Sequence, residues 1–235
     1  MYIRTEYAAG NVKEIQKSHR FPCQIEGGKV VRSRKPKEKA TTTAMQRWND
    51  KQRKKKIARK ANANFGKGDL YLTLTYRPDE RPDEAGADRK FKNFKAALRN
   101  RFRKAGKEFK WIGTTEIGER GAIHHHMLMT RWNATEVAEL WQRYGGNAHV
   151  QVVYSADLTS LGEYLAKEPR SGKKTYSCSR NLVDAKVSKK RVSANSWRKS
   201  PSIPEGWKLV PESYEIGINP VTGYGYQYYR VVKLN

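Results

Sequence analysis

The sequence predicts an α+β fold with a ferredoxin-like or RRM-like core, in which the element order β-α-β-β-α-β builds one antiparallel sheet. Three observations predict it. Residues 70–76 alternate apolar and polar side chains, residues 83–105 carry apolar residues at helical spacing, and two strands, a helix and a strand follow. A sheet of this kind packs helices on one face and can leave the other face free for a ligand.

The first strand, Leu70–Tyr76, divides its side chains between the two faces of the sheet. Its three leucines share one face, and the residues between them share the other. If the leucine face meets the helices, Thr73 and Thr75 line the free face. The apolar stripe of the next helix consists of Phe91, Phe94, Leu98 and Phe102. We interpret this stripe as core.

Local signals place the other core elements. Asn133 and Glu136 resemble a capping box that opens a helix, and glycines or prolines separate the segments. The predicted elements are strands over 111–117, 121–129 and 148–153, with helices over 133–144 and 157–168. The last helix directly follows the last strand, so it can fold back over the free face of the sheet.

Basic segments flank this core. Residues 1–40 lack periodicity and predict an extension without regular structure. Residues 41–63 predict a basic helix, for which a phosphate contact and a solvated surface are equally good interpretations. Residues 169–212 are basic and irregular, and a hairpin is predicted from 213 to 232, whose tyrosines could stack bases but more often pack on an edge strand. The predicted domains are 1–63, 64–182 and 183–235.

Composition favours a polyanionic partner. The chain has 48 lysines and arginines against 23 acidic residues, a formal charge of +25, which is typical of nucleic-acid-binding proteins. We expect no membrane partner, because there is neither a long apolar run nor a signal-peptide pattern. Cys23 and Cys178 form no CxxC motif, which fits a reducing cytoplasm. No G-x-x-x-x-G-K-[ST] motif occurs, so we expect no nucleotide cofactor.

Three of the five histidines lie together in the strand after Gly121. His124 and His126 are two residues apart and face the same side of a strand, so both imidazoles could bind one ion. His125 would face the other side. The alternative interpretation is a chance cluster on a core strand.

Glu116 lies eight residues before His124, on the neighbouring strand. A three-residue loop over 118–120 pairs Glu116 with Ala122, which places the carboxylate diagonal to His124 on the same face. A two-residue loop would place it on the opposite face, and His149 would then be the alternative ligand. Two imidazoles and one carboxylate leave coordination positions open, as a catalytic Mg²⁺ or Mn²⁺ ion requires.

Tyr164 and Lys167 lie side by side at i and i+3 on the last predicted helix. A tyrosine becomes a usable nucleophile if its target is polarised and its proton can leave. Lys167 could stabilise the developing negative charge. The alternative interpretation is a tyrosine that only packs on the sheet.

Taken in order, three segments resemble the motifs of HUH-superfamily rolling-circle replication initiators, the Rep nucleases of phages, plasmids and small single-stranded DNA viruses. These segments are Leu70–Tyr76, Glu116 with Ile123–Met127, and Tyr164–Lys167. The resemblance covers roughly residues 64–182 and is nearest to the bacterial phage and mobile-element type. His125 stands where a bulky apolar residue is usual, which leaves open which imidazole pair binds metal.

The resemblance implies that the protein nicks and rejoins single-stranded DNA at an origin hairpin. Its implied metal ligands are Glu116, His124 and His126, with one Mn²⁺ or Mg²⁺ ion, and its implied catalytic residues are Tyr164 and Lys167. Attack by the tyrosine would leave a 5′-phosphotyrosine and a free 3′-OH. A host helicase and polymerase are the implied protein partners, in the cytoplasm of a bacterial host.

Two other classes remain open at this point. A single-tyrosine HUH transposase would share the chemistry, and an obligate dimer that exchanges its tyrosine helix would favour it. A non-catalytic RRM-like module that binds nucleic acid would share the sheet topology. Such modules place aromatic residues on the sheet, whereas the free face predicted here offers threonine and histidine.

Overall fold

The computed structural model describes residues 1–19, 42–118, 121–166 and 176–234. Ten strands are present in these ranges: β1 (Tyr2–Ala9), β2 (Val12–His19), β3 (Leu70–Tyr76), β4 (Trp111–Ile117), β5 (Ile123–Met129), β6 (Gly146–Val152), β7 (Ser177–Cys178), β8 (Lys186–Val192), β9 (Trp207–Ile218) and β10 (Gly225–Lys233). The helices are α1 (Thr43–Asn64), α2 (Glu84–Lys104), α3 (Ala134–Gln142) and α4 (Thr159–Tyr164), with a 3-10 turn at Pro78–Glu80.

The chain divides into two compact units. The core unit is Lys54–Asp184, and the flanking unit combines Met1–Arg53 with Ala185–Asn235. Each unit is built around its own sheet, and each sheet has five strands. The division of function among residues 1–63, 64–182 and 183–235 stays a prediction.

The sheet of the core unit has the strand order β6-β3-β5-β4-β7, with antiparallel pairing throughout. Its first four strands, numbered by their order in the core, run 4-1-3-2. This is the order that a split β-α-β arrangement produces, because β5 inserts between β3 and β4. The predicted α+β, ferredoxin-like fold is therefore confirmed. The short strand β7 was not predicted and extends the sheet beside β4.

One face of this sheet packs against α2 and α3, as the leucine pattern predicted. The three leucines of β3 are fully buried there with Trp141 and the phenylalanine stripe of α2. The N-termini of both helices are capped: Asp83 accepts from the Gly86 N–H and Asn133 from the Glu136 N–H. Each cap satisfies an otherwise orphaned donor, so both helix starts agree with the sequence signals.

The opposite face is covered over part of its area, which the sequence did not predict. Ile57 and Ala61 of α1 and Leu158 and Leu165 of the α4 region pack there against residues of β4 and β5. At Gly162, a Cβ atom would lie 2.5 Å from the Cα of Ala58, so the two helices approach too closely for any larger residue. The C-terminal half of α1 is thus neither a phosphate contact nor a solvated surface, but part of the core.

The flanking unit holds a second antiparallel sheet, with the order β8-β1-β2-β10-β9. The prediction that residues 1–40 lack regular structure is wrong for residues 1–19, which form the β1–β2 hairpin; residues 20–41 lie outside the described ranges. Polar side chains hid the alternation, because β2 buries Glu14 and Lys17 beside Ile15. The predicted irregular stretch 169–212 likewise contains β7 and β8.

The C-terminal hairpin is present, and its first strand is longer than predicted. Tyr226, Tyr228 and Tyr229 of β10 are buried in the flanking unit. The packing interpretation of these tyrosines is therefore confirmed over base stacking. In the part of the chain that the structure describes, no helix is long and apolar enough to cross a membrane.

Candidate active site

The β4–β5 hairpin places Glu116 and His124 directly opposite one another. The predicted pairing of Glu116 with Ala122 is wrong by two residues, because the turn is longer than three residues and Ile117 pairs with Ile123. The Gly118 N–H donates to the Ala122 carbonyl at 2.8 Å and closes the turn. A shift of two residues keeps each side chain on its face, so Glu116 shares the face of His124, as predicted.

Three ligand atoms converge on this face. One atom each from Glu116, His124 and His126 lie within 4.8 Å of one another. The Glu116 Oε2 atom lies 3.3 Å from Nε2 of His124 and 3.7 Å from Nε2 of His126. The set fits a divalent cation, because a carboxylate and two imidazoles are established ligands that leave further coordination positions open.

Each imidazole is oriented through its other nitrogen. Nδ1 of His124 lies 3.3 Å from the Ala122 carbonyl, which can only accept, so Nδ1 carries the proton and Nε2 keeps its lone pair. Nδ1 of His126 lies 2.8 Å from the Tyr71 hydroxyl and 3.3 Å from Oγ1 of Thr73. Contacts of this kind fix ring orientation at metal sites. Burial raises the pKa of Tyr71, so it remains a neutral phenol at physiological pH.

His125 faces the helices and takes no part in the cluster. It is fully buried, stacks on Phe91 with ring centroids 4.3 Å apart, and both ring nitrogens have partners. Nε2 lies 2.8 Å from the Tyr76 hydroxyl, and Nδ1 lies 2.8 Å from Oγ1 of Thr115. His125 is thus a hydrogen-bonded core residue, and the imidazole pair that converges with Glu116 is His124 with His126.

The alternative ligand His149 lies on β6, exposed, and pairs across β3 with Thr73. The metal-ligand group found among the described residues does not include it. The expectation that Thr73 and Thr75 line this face is met, because they pair with His126 and His124.

Tyr164 reaches the cluster from the last residue of α4. Its hydroxyl lies 3.2 Å from Nε2 of His126, and the two rings meet edge to face with centroids 5.1 Å apart. Helix α4 is shorter than the predicted helix over 157–168, since it spans Thr159–Tyr164. Lys167 lies outside the described residues, so its role stays a prediction.

Asn62 of α1 holds the start of the segment that carries Tyr164. It is only 4% exposed; its Oδ1 accepts from the Leu158 N–H at 2.7 Å, and its Nδ2 donates to Oγ1 of Thr159 at 2.9 Å. Sequence reasoning missed both Asn62 and Tyr71. Tyr71 was assigned to the correct face without a role, whereas nothing near Asn62 in the sequence points to partners 96 residues away.

We expect Tyr71→Phe to weaken Mn²⁺ binding about tenfold, because losing a partner that orients a ligand typically has an effect of this size. Isothermal titration of the purified protein with Mn²⁺ measures it. Tyr76→Phe is the matched control: it removes the same hydroxyl from the same strand, but on the His125 side. Equal losses of affinity in both variants would show that Tyr71 acts only through stability.

We expect Asn62→Ala to lower the free energy of unfolding by about 2 kcal/mol, because the buried Leu158 N–H loses its acceptor. The control is Asn64→Ala, which removes the same group two residues later, where it bonds Val183 instead of the α4 segment. Urea unfolding gives the stability of both variants, and cleavage is then compared under conditions where both are folded. Only Asn62→Ala should slow cleavage; an equal effect in Asn64→Ala would contradict a positioning role.

An RRM-like sheet that presents a His-x-His pair, a carboxylate and a helix-borne tyrosine on one face defines the class of rolling-circle replication initiators. Residues 69–172 match a family model, that of the replication-associated protein ORF2. The matched segment lies inside the range 64–182 that carried the sequence resemblance, and it contains the whole candidate cluster. The predicted relationship to replication initiators is therefore confirmed. Comparisons with curated proteins and with solved structures found no match.

Proposed function

We propose that this protein is a metal-dependent HUH endonuclease that nicks and rejoins single-stranded DNA at an origin and so starts rolling-circle replication. The observation that carries the proposal is the 3.2 Å distance between the Tyr164 hydroxyl and Nε2 of His126. A phenol beside a converging set of metal ligands is adjacent to the place where a bound phosphodiester would be polarised. The replication-associated family of residues 69–172 supports the same biological role.

In the proposed reaction, Tyr164 attacks the scissile phosphodiester. Its oxygen forms a bond to phosphorus, the bond from phosphorus to the neighbouring 3′ oxygen breaks, and the phenolic proton passes overall to that oxygen. The products are a 5′-phosphotyrosine and a free 3′-OH. The covalent link conserves the phosphodiester bond, so rejoining needs no ATP, in agreement with the absence of a P-loop motif from the sequence.

The residues of the cluster divide this work. Glu116, His124 and His126 would hold one Mn²⁺ or Mg²⁺ ion, which when bound would polarise the phosphate and offset the charge that develops on it. Tyr71 orients His126, and Asn62 holds the segment that carries the nucleophile. Lys167 is assigned a supporting positive charge on the strength of its motif position alone.

The proposal extends to the cell. The free 3′-OH would prime a host polymerase, and a host helicase would separate the strands, since the sequence has no motor motif of its own. The reaction would take place in the cytoplasm of a bacterial host. Within one chain, Tyr164 already reaches the cluster, which favours the initiator over a transposase whose dimer exchanges tyrosine helices.

The direct test incubates the full chain with single-stranded origin oligonucleotides and Mn²⁺, then separates the products on a denaturing gel. We expect a covalent protein–DNA adduct with Mn²⁺ and none when EDTA is added. Metal-dependent cleavage without an adduct would contradict the tyrosine mechanism. Tight binding with neither cleavage nor adduct would favour the non-catalytic RRM-like module.

DNA binding should depend strongly on salt, because the chain carries a formal charge of +25. About six phosphate contacts on a single strand give a log–log slope near −4. Fluorescence anisotropy of a labelled oligonucleotide, titrated at several salt concentrations, measures the slope. A nearly flat dependence would show that the basic residues serve another purpose.

A further inference from the structure

A second concave site lies in the core unit, at the end of β4 remote from Glu116. It is a cleft of about 710 Å³ between the C-terminal half of α2 and the residues around β7. Its apolar lining consists of Phe102, Phe109 and Trp111, each mostly buried. The volume lies in the range of sites that hold small organic ligands.

Trp111 presents an unsatisfied hydrogen-bond donor at this cleft. The residue is 6% exposed, and its indole N–H has no partner among the residues that the structure describes. Lys95 lies over its ring with Nζ 4.2 Å from the centroid, and the Trp111 backbone N–H donates to Oγ of Ser179 at 3.1 Å, so the residue is well held. Buried donors normally have partners, and an orphaned one beside a cleft calls for an acceptor from a ligand.

The rim of the cleft is cationic. Its charged side chains are Arg99, Arg103, Lys107, Glu108 and Arg180. Glu108 is engaged by Lys110 at 3.3 Å and by Asn181 at 3.0 Å. Within the described ranges, no carboxylate pairs with Arg103 or Arg180. Unpaired guanidinium groups around an apolar floor suit a ligand with both a phosphate and an aromatic ring, because arginine binds phosphate in a forked geometry.

We propose that this cleft binds one nucleotide of the DNA single strand, at a distance from the nicking site. The base lies on the apolar floor and accepts the Trp111 N–H through a ring carbonyl, while Arg103 and Arg180 bind its flanking phosphates. The inference rests on the proposed function, because it assumes that the substrate is single-stranded DNA. It adds a second point of attachment that neither the metal cluster nor the tyrosine supplies.

The geometry of β4 defines the route between the two sites. Trp111 and Glu116 are five residues apart on this strand, which separates them by about 17 Å. Their side chains face opposite sides of the sheet, since their positions differ by an odd number. A strand that occupies both sites therefore passes around the sheet edge formed by β7. Oligonucleotides long enough to span this path should bind more tightly than ones that cover the nicking site alone.

The test uses fluorescein-labelled oligothymidylates, one long enough to span both sites and one of only a few nucleotides, with anisotropy as the readout. We expect the Arg103→Ala/Arg180→Ala variant to bind the long strand roughly tenfold more weakly, with a salt slope smaller by about 1.4 after the loss of two phosphate contacts. Trp111→Phe should bind several-fold more weakly at an unchanged salt slope, because only a neutral donor is lost. Lys104→Ala, a neighbouring α2 cation outside the cleft, is the charge-matched control.

A strand of abasic sugars separates the two parts of the site. The arginine variant should still lose affinity for it, whereas Trp111→Phe should bind it as the unaltered protein does. If neither variant differs from Lys104→Ala on the long strand, the cleft does not bind DNA. Because Trp111 is a core residue, the arginine variant decides the question if Trp111→Phe unfolds.

The failure of this inference is distinct from failure of the proposed function. All cleft variants should form the covalent adduct with the short oligonucleotide, because the metal cluster and Tyr164 are untouched. Normal adducts with unchanged long-strand affinity would reject the cleft alone. Absence of any adduct, even from the unaltered protein, would reject the nicking function on which the inference rests.

Discussion

The Tyr164→Phe variant is expected to form no detectable covalent adduct with single-stranded DNA. Only one hydroxyl is lost, so the ring keeps its edge-to-face packing on His126 and Tyr71. The fold and DNA affinity should therefore change little, while the oxygen that attacks phosphorus is gone. Denaturing gels measure the adduct, and anisotropy measures binding by the same preparation.

The matched control is Tyr176→Phe, which makes the same change at a tyrosine that packs on the apolar cluster beside α1. It should form adduct at the rate of the unaltered protein. Peptide mapping of the adduct identifies the linked residue independently. A DNA-linked tyrosine other than Tyr164, or full adduct formation by Tyr164→Phe, would show that the nucleophile has been assigned wrongly.

Replacing His126 with alanine is expected to have the second large effect, at least about a 100-fold loss of Mn²⁺ affinity. A ligand should matter more than the partners that orient it, whose loss typically weakens binding by roughly 10- to 100-fold. Cleavage should disappear with metal binding. His126 is 5% exposed and contacts both Tyr71 and Tyr164, so thermal unfolding should be measured in parallel.

His149→Ala is the control for this variant, because His149 lies on the same sheet but outside the ligand group. It should bind Mn²⁺ normally. Crystals of the unaltered protein soaked in Mn²⁺ give a second readout through anomalous scattering. Density away from Glu116, His124 and His126, or normal Mn²⁺ affinity in His126→Ala, would contradict the proposed metal site.

The parts of the site that could be predicted are those written in local patterns. The alternation in β3 and the i, i+2 spacing of His124 and His126 assign faces without knowledge of the turn. The register of Glu116 could not be derived in the same way, because alternation determines only the parity of a pairing. The observed turn is two residues longer than expected, yet the carboxylate stays on the correct face.

The unpredicted parts depend on contacts distant in sequence. Asn62 acquires its role from Leu158 and Thr159, so nothing in the composition of α1 indicates it. Strand β2 was missed because tertiary pairing buries Glu14 and Lys17, which contradict the simple pattern of an amphipathic strand. In both cases the tertiary environment, not local propensity, determines the structure.

The contact between α1 and the α4 segment limits how far the nuclease can be trimmed. The family match begins at residue 69, after α1 has ended. A fragment cut there would retain every ligand and the nucleophile, but it would expose Ile112 and Leu128 and leave the Leu158 N–H without the acceptor that Asn62 provides. Catalytic autonomy therefore starts upstream of Asn62. Any transplant of this activity into another protein must carry the helix as well as the motifs.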